Sequence, residues 1–342
     1  MKNNLLLAIC LMISLNGFSQ KPIWGLDFLS FFDNREYNDH YAISQTYFGT
    51  RVTPEAGIAL DDHQKVMAGV GILFENGEKP LQQDPDYLLY YQYNTGKFSA
   101  NAGYFPRSRL MGNFPNVFLR GNFNYYQPNM SGLLLQSKSN KGFAEIGIDW
   151  NGLRTDSVRE SFLLLSAGKY SVNRFYGGYH FTYFHFARAW DAPETQHLVD
   201  NALVQMFVGY NFTPAHKIDS IYAQIGYIQG AERIRGVGTS FMPGGLYAEI
   251  FYKHKKLGVK NSLYLGDHQM NLYNVKDEKG VAYGKRVYWN EPFFQSNIYN
   301  RTEFFWNISE TKYTTVKLSS VHQFDGDSFG WQQILTFRVK LN

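Results

Sequence analysis

Cysteine is almost missing from this chain. The only one in 342 residues is Cys10. It sits in a leader with a positive start at Lys2, an apolar run over residues 5–15 broken only by Ser14, and small residues at Gly17 and Ser19. That pattern is a cleaved secretory signal over residues 1–19, with a mature chain from Gln20. The run is too short to cross a bilayer as a helix. Ile9, before Cys10, is bulky where a lipoprotein acylation site needs a small residue. Without cysteine, the mature chain has no disulfides, no thiol chemistry and no thiolate metal ligands. Charge is also scarce: 18% of residues, where soluble domains carry about 25%. Removing Lys2 from 33 basic residues leaves 32 against 29 acidic, a net +3 with no dense basic run. Nucleic acid is thereby excluded as a partner. No apolar stretch of helical-span length follows the leader, and mean hydropathy is negative. A bundle of transmembrane helices is excluded. Metal-protease, phosphate-loop and dinucleotide motifs are absent. The expectation is a chain with no enzyme activity, no cofactor and no metal.

What is abundant is aromatic: 25 Tyr and 28 Phe, with aromatics at 17%. The stretch YGGYHFTYFHFARAW, residues 176–190, has nine rings or imidazoles in fifteen positions. An exported, aromatic-rich chain without apolar helices fits a membrane β-barrel, whose apolar face needs only every second residue. The chain divides into sixteen segments of alternating polarity: 22–33, 44–60, 64–75, 86–94, 97–106, 131–138, 142–152, 160–169, 174–187, 201–212, 219–230, 242–254, 258–267, 294–308, 312–324 and 329–341. In the last of these, Trp331, Leu335, Phe337, Val339 and Leu341 share one face. Gln332, Thr336, Arg338 and Lys340 share the other. A face in an apolar medium opposite a face in water gives this period of two. Short connections alternate with long ones at 34–43, 76–85, 107–130, 153–159, 188–200, 231–241, 268–293 and 325–328. A transmembrane barrel does this because one rim carries tight periplasmic turns and the other long outside loops. The fold expected is all-β: one transmembrane antiparallel barrel domain over residues 20–342, of about sixteen strands, in the outer membrane. Sixteen strands leave an aqueous lumen unless loops fill it.

These features, with the stretch FFDNREY at residues 31–37 and the leader ending Phe-Ser-Gln, resemble outer-membrane porins of general-porin topology and uncharacterised porin-like barrels of the Bacteroidota. The resemblance implies a third outside loop, 107–130, that folds inward and narrows the channel. By analogy it also implies a trimer. The ending Val339-Lys340-Leu341-Asn342 departs from the terminal aromatic of porins.

If apolar positions face lipid, the alternate set lines the lumen: Asp27, Arg51, Glu55, Lys65, Glu145, Asp149, Glu249, Lys253, Lys260, Arg301, Glu303, Lys317, Arg338 and Lys340. Mixed signs either hydrate the wall and pair across strands or tune transport. Loop 107–130 carries Arg107, Arg109 and Arg120 with no acidic residue between them. These are the constriction candidates, able to favour anions by bidentate bonding. Asp33, Glu36, Asp39 and His40, with Asp325 and Asp327, form an oxygen-rich set lacking a calcium-loop spacing. Ser320 and His322 share one strand face, without a marked orienting acid or oxyanion site. His180 and His185, five apart, point to opposite faces and cannot share a metal. The function expected is passive diffusion of small hydrophilic solutes, anions included. The alternative is a barrel subunit of a larger assembly, gripping surface lipoproteins through loop aromatics such as those of 268–293. Outer-membrane lipid is the constant partner.

Overall fold

The computed structural model describes residues 20–38, 41–79, 81–121, 123–213 and 219–341. The expected leader, Asp39, His40 and most of the turn at 213–218 lie outside them. The strands are β1 (Lys21–Tyr37), β2 (Gln45–Ala59), β3 (Gln64–Glu75), β4 (Asp86–Asn94), β5 (Phe98–Pro106), β6 (Asn129–Ser139), β7 (Gly142–Gly152), β8 (Ser161–Val172) and β9 (Phe175–Phe186). They continue as β10 (Val199–Asn211), β11 (Ser220–Ile234), β12 (Thr239–Phe241), β13 (Gly244–His254), β14 (Leu257–Gly266), β15 (Ile298–Glu310), β16 (Thr314–Phe324) and β17 (Phe329–Leu341). Each pairs antiparallel with its sequence neighbour, and β1 closes on β17 from Leu26↔Leu341 to Tyr37↔Gly330. The short β12 pairs only with the end of β11, while β11 pairs directly with β13. The closed cycle therefore has sixteen strands. Closure is obligatory in hydrocarbon, where an open edge leaves backbone groups unpaired.

On the side of the chain termini, two-residue turns join β6 to β7, β8 to β9 and β13 to β14. Between β8 and β9, Asn173 takes φ +56°; between β13 and β14, Lys255 takes φ +52°. Such left-handed turns match the twist of the flanking strands. The alternation read from sequence sorts the walls. In β17 Trp331, Leu335 and Phe337 are exposed on the outer face, and Gln332 is buried inside. In β9 Tyr176, His180, Thr182, Phe184 and Phe186 point inward and are buried.

The lumen is filled. Residues 107–128 and 267–297 turn inward and make a core with the inner wall: Phe123, Leu272, Tyr283, Tyr288 and Trp289 pack with Leu134, Leu165, Phe184 and Val199. A second cluster joins Val117, Phe118, Phe293 and Phe294 to Ile228, Tyr247 and Tyr299. This accounts for the inward phenylalanines of the aromatic-rich strand. Phe184 lies 5.9 Å from Trp289, and Phe186 lies 3.8 Å under the guanidinium of Arg159. The aromatics of 268–293 are thus turned into the barrel rather than toward a partner.

Candidate functional site

Most charged residues of the inner wall are paired. Arg338 clamps Asp27, with Nε donating to Oδ1 at 2.8 Å. Arg51 donates to Asp86 and to the Tyr125 carbonyl. Tyr90 donates to Glu55 at 2.6 Å. Lys260 meets Glu249 at 3.0 Å, and Lys253 meets Glu310 at 2.9 Å. Glu303 takes Arg301 at 3.1 Å and Lys317 at 2.7 Å. Signs cancel over most of the wall, the exception being the stretch where Lys65 and Lys340 meet Arg109.

The three loop arginines go to three places. Arg107 meets Asp149 at 2.6 Å and lies 5.2 Å over Trp289. Arg120 packs 5.1 Å from the Phe123 ring, while its backbone N–H donates to the Trp289 carbonyl. Arg109 donates to Tyr90 at 2.6 Å. It borders a polar cavity of about 460 Å³ on the side of the termini, with Asp27, Glu55, Lys65, Gln136 and Lys340. The loop holds no acid, but the wall supplies two. Asp149 takes Arg107, and Glu145 accepts the backbone N–H groups of Met111 and Gly112 at 2.8 and 2.7 Å. Beyond the loop, a second polar cavity of about 390 Å³ is lined by Arg35, Lys260, Glu291, Arg301 and Glu303, among others. Burial raises the Tyr288 hydroxyl well above its ordinary range, so it stays protonated and donates to Glu232 at 2.5 Å.

The oxygen-rich set does not converge. Asp33 points inward to Arg35 at 2.8 Å, Glu36 lies on the outer face, and Asp325 caps its own turn through the N–H groups of Asp327 and Ser328. Among the described residues, no group of three or more His, Cys, Asp or Glu is placed to hold a metal. His180 bonds Gln205 at 3.1 Å inside, while His185 is on the outer face.

On the arc around β1 the outer wall departs from the apolar rule. Across β2, β1, β17 and β16, the directly opposed outward residues are Thr46, Asn34, Gln333 and Ser320. Thr46 donates to Asn34 at 2.7 Å, and Asn34 donates to Gln333 at 2.9 Å. In the next row, His322 faces Thr302, and Thr302 faces Asn261, which donates to it at 2.7 Å. The rows are joined by Ser320 Oγ and His322 Nε2, 3.1 Å apart. Phe304 meets His322 edge-on at 5.9 Å. Polar groups facing hydrocarbon are costly unless paired, and this seam pairs its own.

Its depth follows from strand geometry. His322 is two residues and Ser320 four from Phe324, the end of β16 farthest from the chain termini. At about 3.3 Å per residue and ~40° tilt, the pair lies roughly 5–10 Å below that end.

The family model for the lipid A 3'-O-deacylase type matches residues 21–342. The chain belongs to that family. Its barrel is porin-like: it is similar to OmpT of Vibrio cholerae in its trimer form (TM-score 0.55, 7% identity, 93% of this chain and 99% of that one). It is also similar to OccK5 of Pseudomonas aeruginosa (TM-score 0.53, 10% identity, 94% and 98%) and to OprB of Pseudomonas putida (TM-score 0.50, 10% identity, 94% and 94%). At such identities the likeness carries the fold alone. No curated sequence matches the chain.

Family membership overturns the expectation of a barrel without reaction chemistry, because the family is described by an enzymatic deacylation. No linear motif announced this. The seam draws on β1, β2 and β14–β17, which only closure unites. Ser320 and His322 were visible on one strand; Asn34, Thr46, Asn261, Thr302 and Gln333 were not. Their one signal was polarity on a face otherwise apolar, as with Thr302 between Ile298 and Phe304.

Proposed function

We propose that this barrel hydrolyses an acyl ester of a lipid A-type glycolipid on its outer wall, with Ser320 and His322 as the reacting pair. The observation that carries the reading is Ser320 Oγ at 3.1 Å from His322 Nε2 on a lipid-facing surface, in a chain of this family. A nucleophile and base within hydrogen-bond reach is the first requirement of acyl transfer. His322 Nε2 takes the Ser320 proton as Oγ attacks the ester carbonyl. The side-chain amide of Gln333, directly opposite Ser320, is the nearest ladder partner to donate to the oxyanion. The sugar hydroxyl leaves with the proton from His322. Water, deprotonated by His322, then releases the fatty acid and restores Ser320.

The test uses purified barrel with diphosphoryl lipid A in mixed micelles and fatty-acid release read by mass spectrometry. Ser320→Ala and His322→Ala should each lower release by at least about a hundredfold. Loss in His322→Ala alone would reassign Ser320, leaving His322 to activate water directly. Full activity in both variants would overturn the site.

A second reading is passage of small hydrophilic solutes, anions included. It is favoured by the cavity where Arg109, Lys65 and Lys340 meet. Conductance of the wild-type protein in a planar bilayer, with its ion selectivity, tests that reading separately.

A further inference from the structure

A second polar cluster breaks the outer wall on another arc of the barrel, over β9–β11. Asp200 lies there, buried, opposite His185 and Arg233 in the ladders. Its Oδ1 accepts from Tyr183 at 2.7 Å and lies 2.9 Å from His185 Nδ1. Its Oδ2 accepts Nε of Arg233 and Nε of Arg235, both at 2.7 Å. Each guanidinium docks on Asp200 by Nε, and Arg235 also lies within reach of the Tyr183 hydroxyl. The two arginine side chains are 54% and 45% exposed. One carboxylate therefore orients two guanidinium groups and leaves a net positive charge with its donors turned outward. Beside it the wall is aromatic: Phe162 stacks on His185 at 4.9 Å, and Trp150 stacks on Phe162 at 5.3 Å.

The level of the cluster is informative. Arg233 and His185 are each one residue from the outer ends of β11 and β9. This is where the phosphates of an outer-leaflet lipid lie, and Arg is suited to bidentate phosphate recognition. Below the cluster, small outward residues (Gly142, Ala144, Gly168 and Gly177) leave an apolar hollow of about 830 Å³, walled by Met206 and Val208. Met206 is six residues down β10 from Asp200. On a tilted strand that is a drop of about 15 Å, so the hollow begins about one leaflet below the cluster, with Gly142, Tyr170 and Gly177 beside the turns on the side of the chain termini.

We infer that this arc binds one phosphorylated, multiply acylated lipid of the outer leaflet. Its phosphate lies on the η nitrogens of Arg233 and Arg235, and its acyl chains lie against the apolar wall below, over Ala202 and Val204. The site is separate from the Ser320–His322 seam and does not depend on ester hydrolysis. Charge complementarity above and an apolar wall beneath select a lipid over a soluble anion.

The test is native mass spectrometry of the full barrel, released from nanodiscs doped with diphosphoryl lipid A. Wild type should retain one lipid A molecule, and Arg233→Gln/Arg235→Gln should retain it about tenfold less. Millimolar inorganic phosphate should not displace it. If the double arginine variant does not fold, wild type with dephosphorylated lipid A decides instead. Equal retention of the two lipids, undiminished retention in the folded double variant, or displacement by inorganic phosphate would each overturn the inference. Ser320→Ala and His322→Ala should leave retention unchanged.

Discussion

Glu145 should decide whether the barrel is closed. Its carboxylate, 3% exposed, accepts the backbone N–H groups of Met111 and Gly112 and the Gln136 amide at 2.8 Å. The bonds to Met111 and Gly112 pin residues 107–128 to the wall beside Arg109, while Gln136 is itself a wall residue on β6. Hydrogen bonds to a charged group contribute about 1.5–3 kcal/mol each when the partner would be stranded. The two loop bonds come to about 3–6 kcal/mol, but Met111 borders the 460 Å³ cavity, so water can replace part of what is lost. A net cost of about 3 kcal/mol is therefore expected for Glu145→Ala. At 1.4 kcal/mol per decade, that lowers the docked-to-undocked ratio of the loop by roughly a hundredfold. The wild-type barrel should conduct poorly in a planar bilayer, and Glu145→Ala should show frequent large openings. Protease should cut within 107–128 in the variant and not in wild type. Glu145→Gln, which keeps one acceptor, should fall between. A folded Glu145→Ala barrel with wild-type conductance and an uncut loop would refute the assignment of Glu145 as the anchor.

Other consequences are equally direct. Trp289 packs 4.7 Å from Phe123 and 5.9 Å from Phe184, so Trp289→Ala should cost about 3–5 kcal/mol of lumen packing. This should appear as a lower urea midpoint for release of residues 268–293, with the strands still resistant to heat in detergent. For Asp277, burial pushes the carboxyl up, but bonds from Arg286 at 2.7 Å and from the N–H groups of Val281 and Lys279 prevail and hold it low. A lowered folded pKa gives stability that is present above the unfolded value of about 3.9 and lost as pH falls through the folded one. Protease resistance of this loop should therefore persist at neutral pH and fail only under strongly acid conditions, and Asp277→Asn should weaken it at pH values near 7. Asn34→Leu with Gln333→Leu replaces a lipid-facing polar pair by apolar side chains of similar size, which is neutral or stabilising in hydrocarbon. Heat resistance should hold while fatty-acid release falls. Equal loss of both would make the pair structural rather than part of the site.

The barrel itself was legible because a wall between lipid and water writes a period of two into every strand. All sixteen segments reappear as strands, and only the three-residue β12 was unforeseen. Its pairing to the end of β11 is a local extension outside the closed cycle. Parity alone decides a side chain's face, and in this structure Asp27, Glu145, Glu249 and Glu303 share the face of the buried inner-wall residues.

What surrounds each of those side chains was not readable. Loop 107–130 has three arginines and no acid, and by itself reads as a cationic constriction. The wall then supplies Asp149 to Arg107 and Glu145 to the backbone, from strands whose distance along the chain says nothing of their nearness. The polar seam was hidden for the same reason. Thr46, Asn34, Gln333 and Ser320 read singly as exceptions on apolar faces, and become one row only when β17 pairs with β1 across 299 residues of sequence. The sequence by itself determined the strands, their faces and the medium on each side, because these depend on neighbours one and two residues away. The filling of the lumen, the separation of the arginines and the joining of Ser320 and His322 to the outer-wall seam were decided by the tertiary structure, because each depends on closure and register.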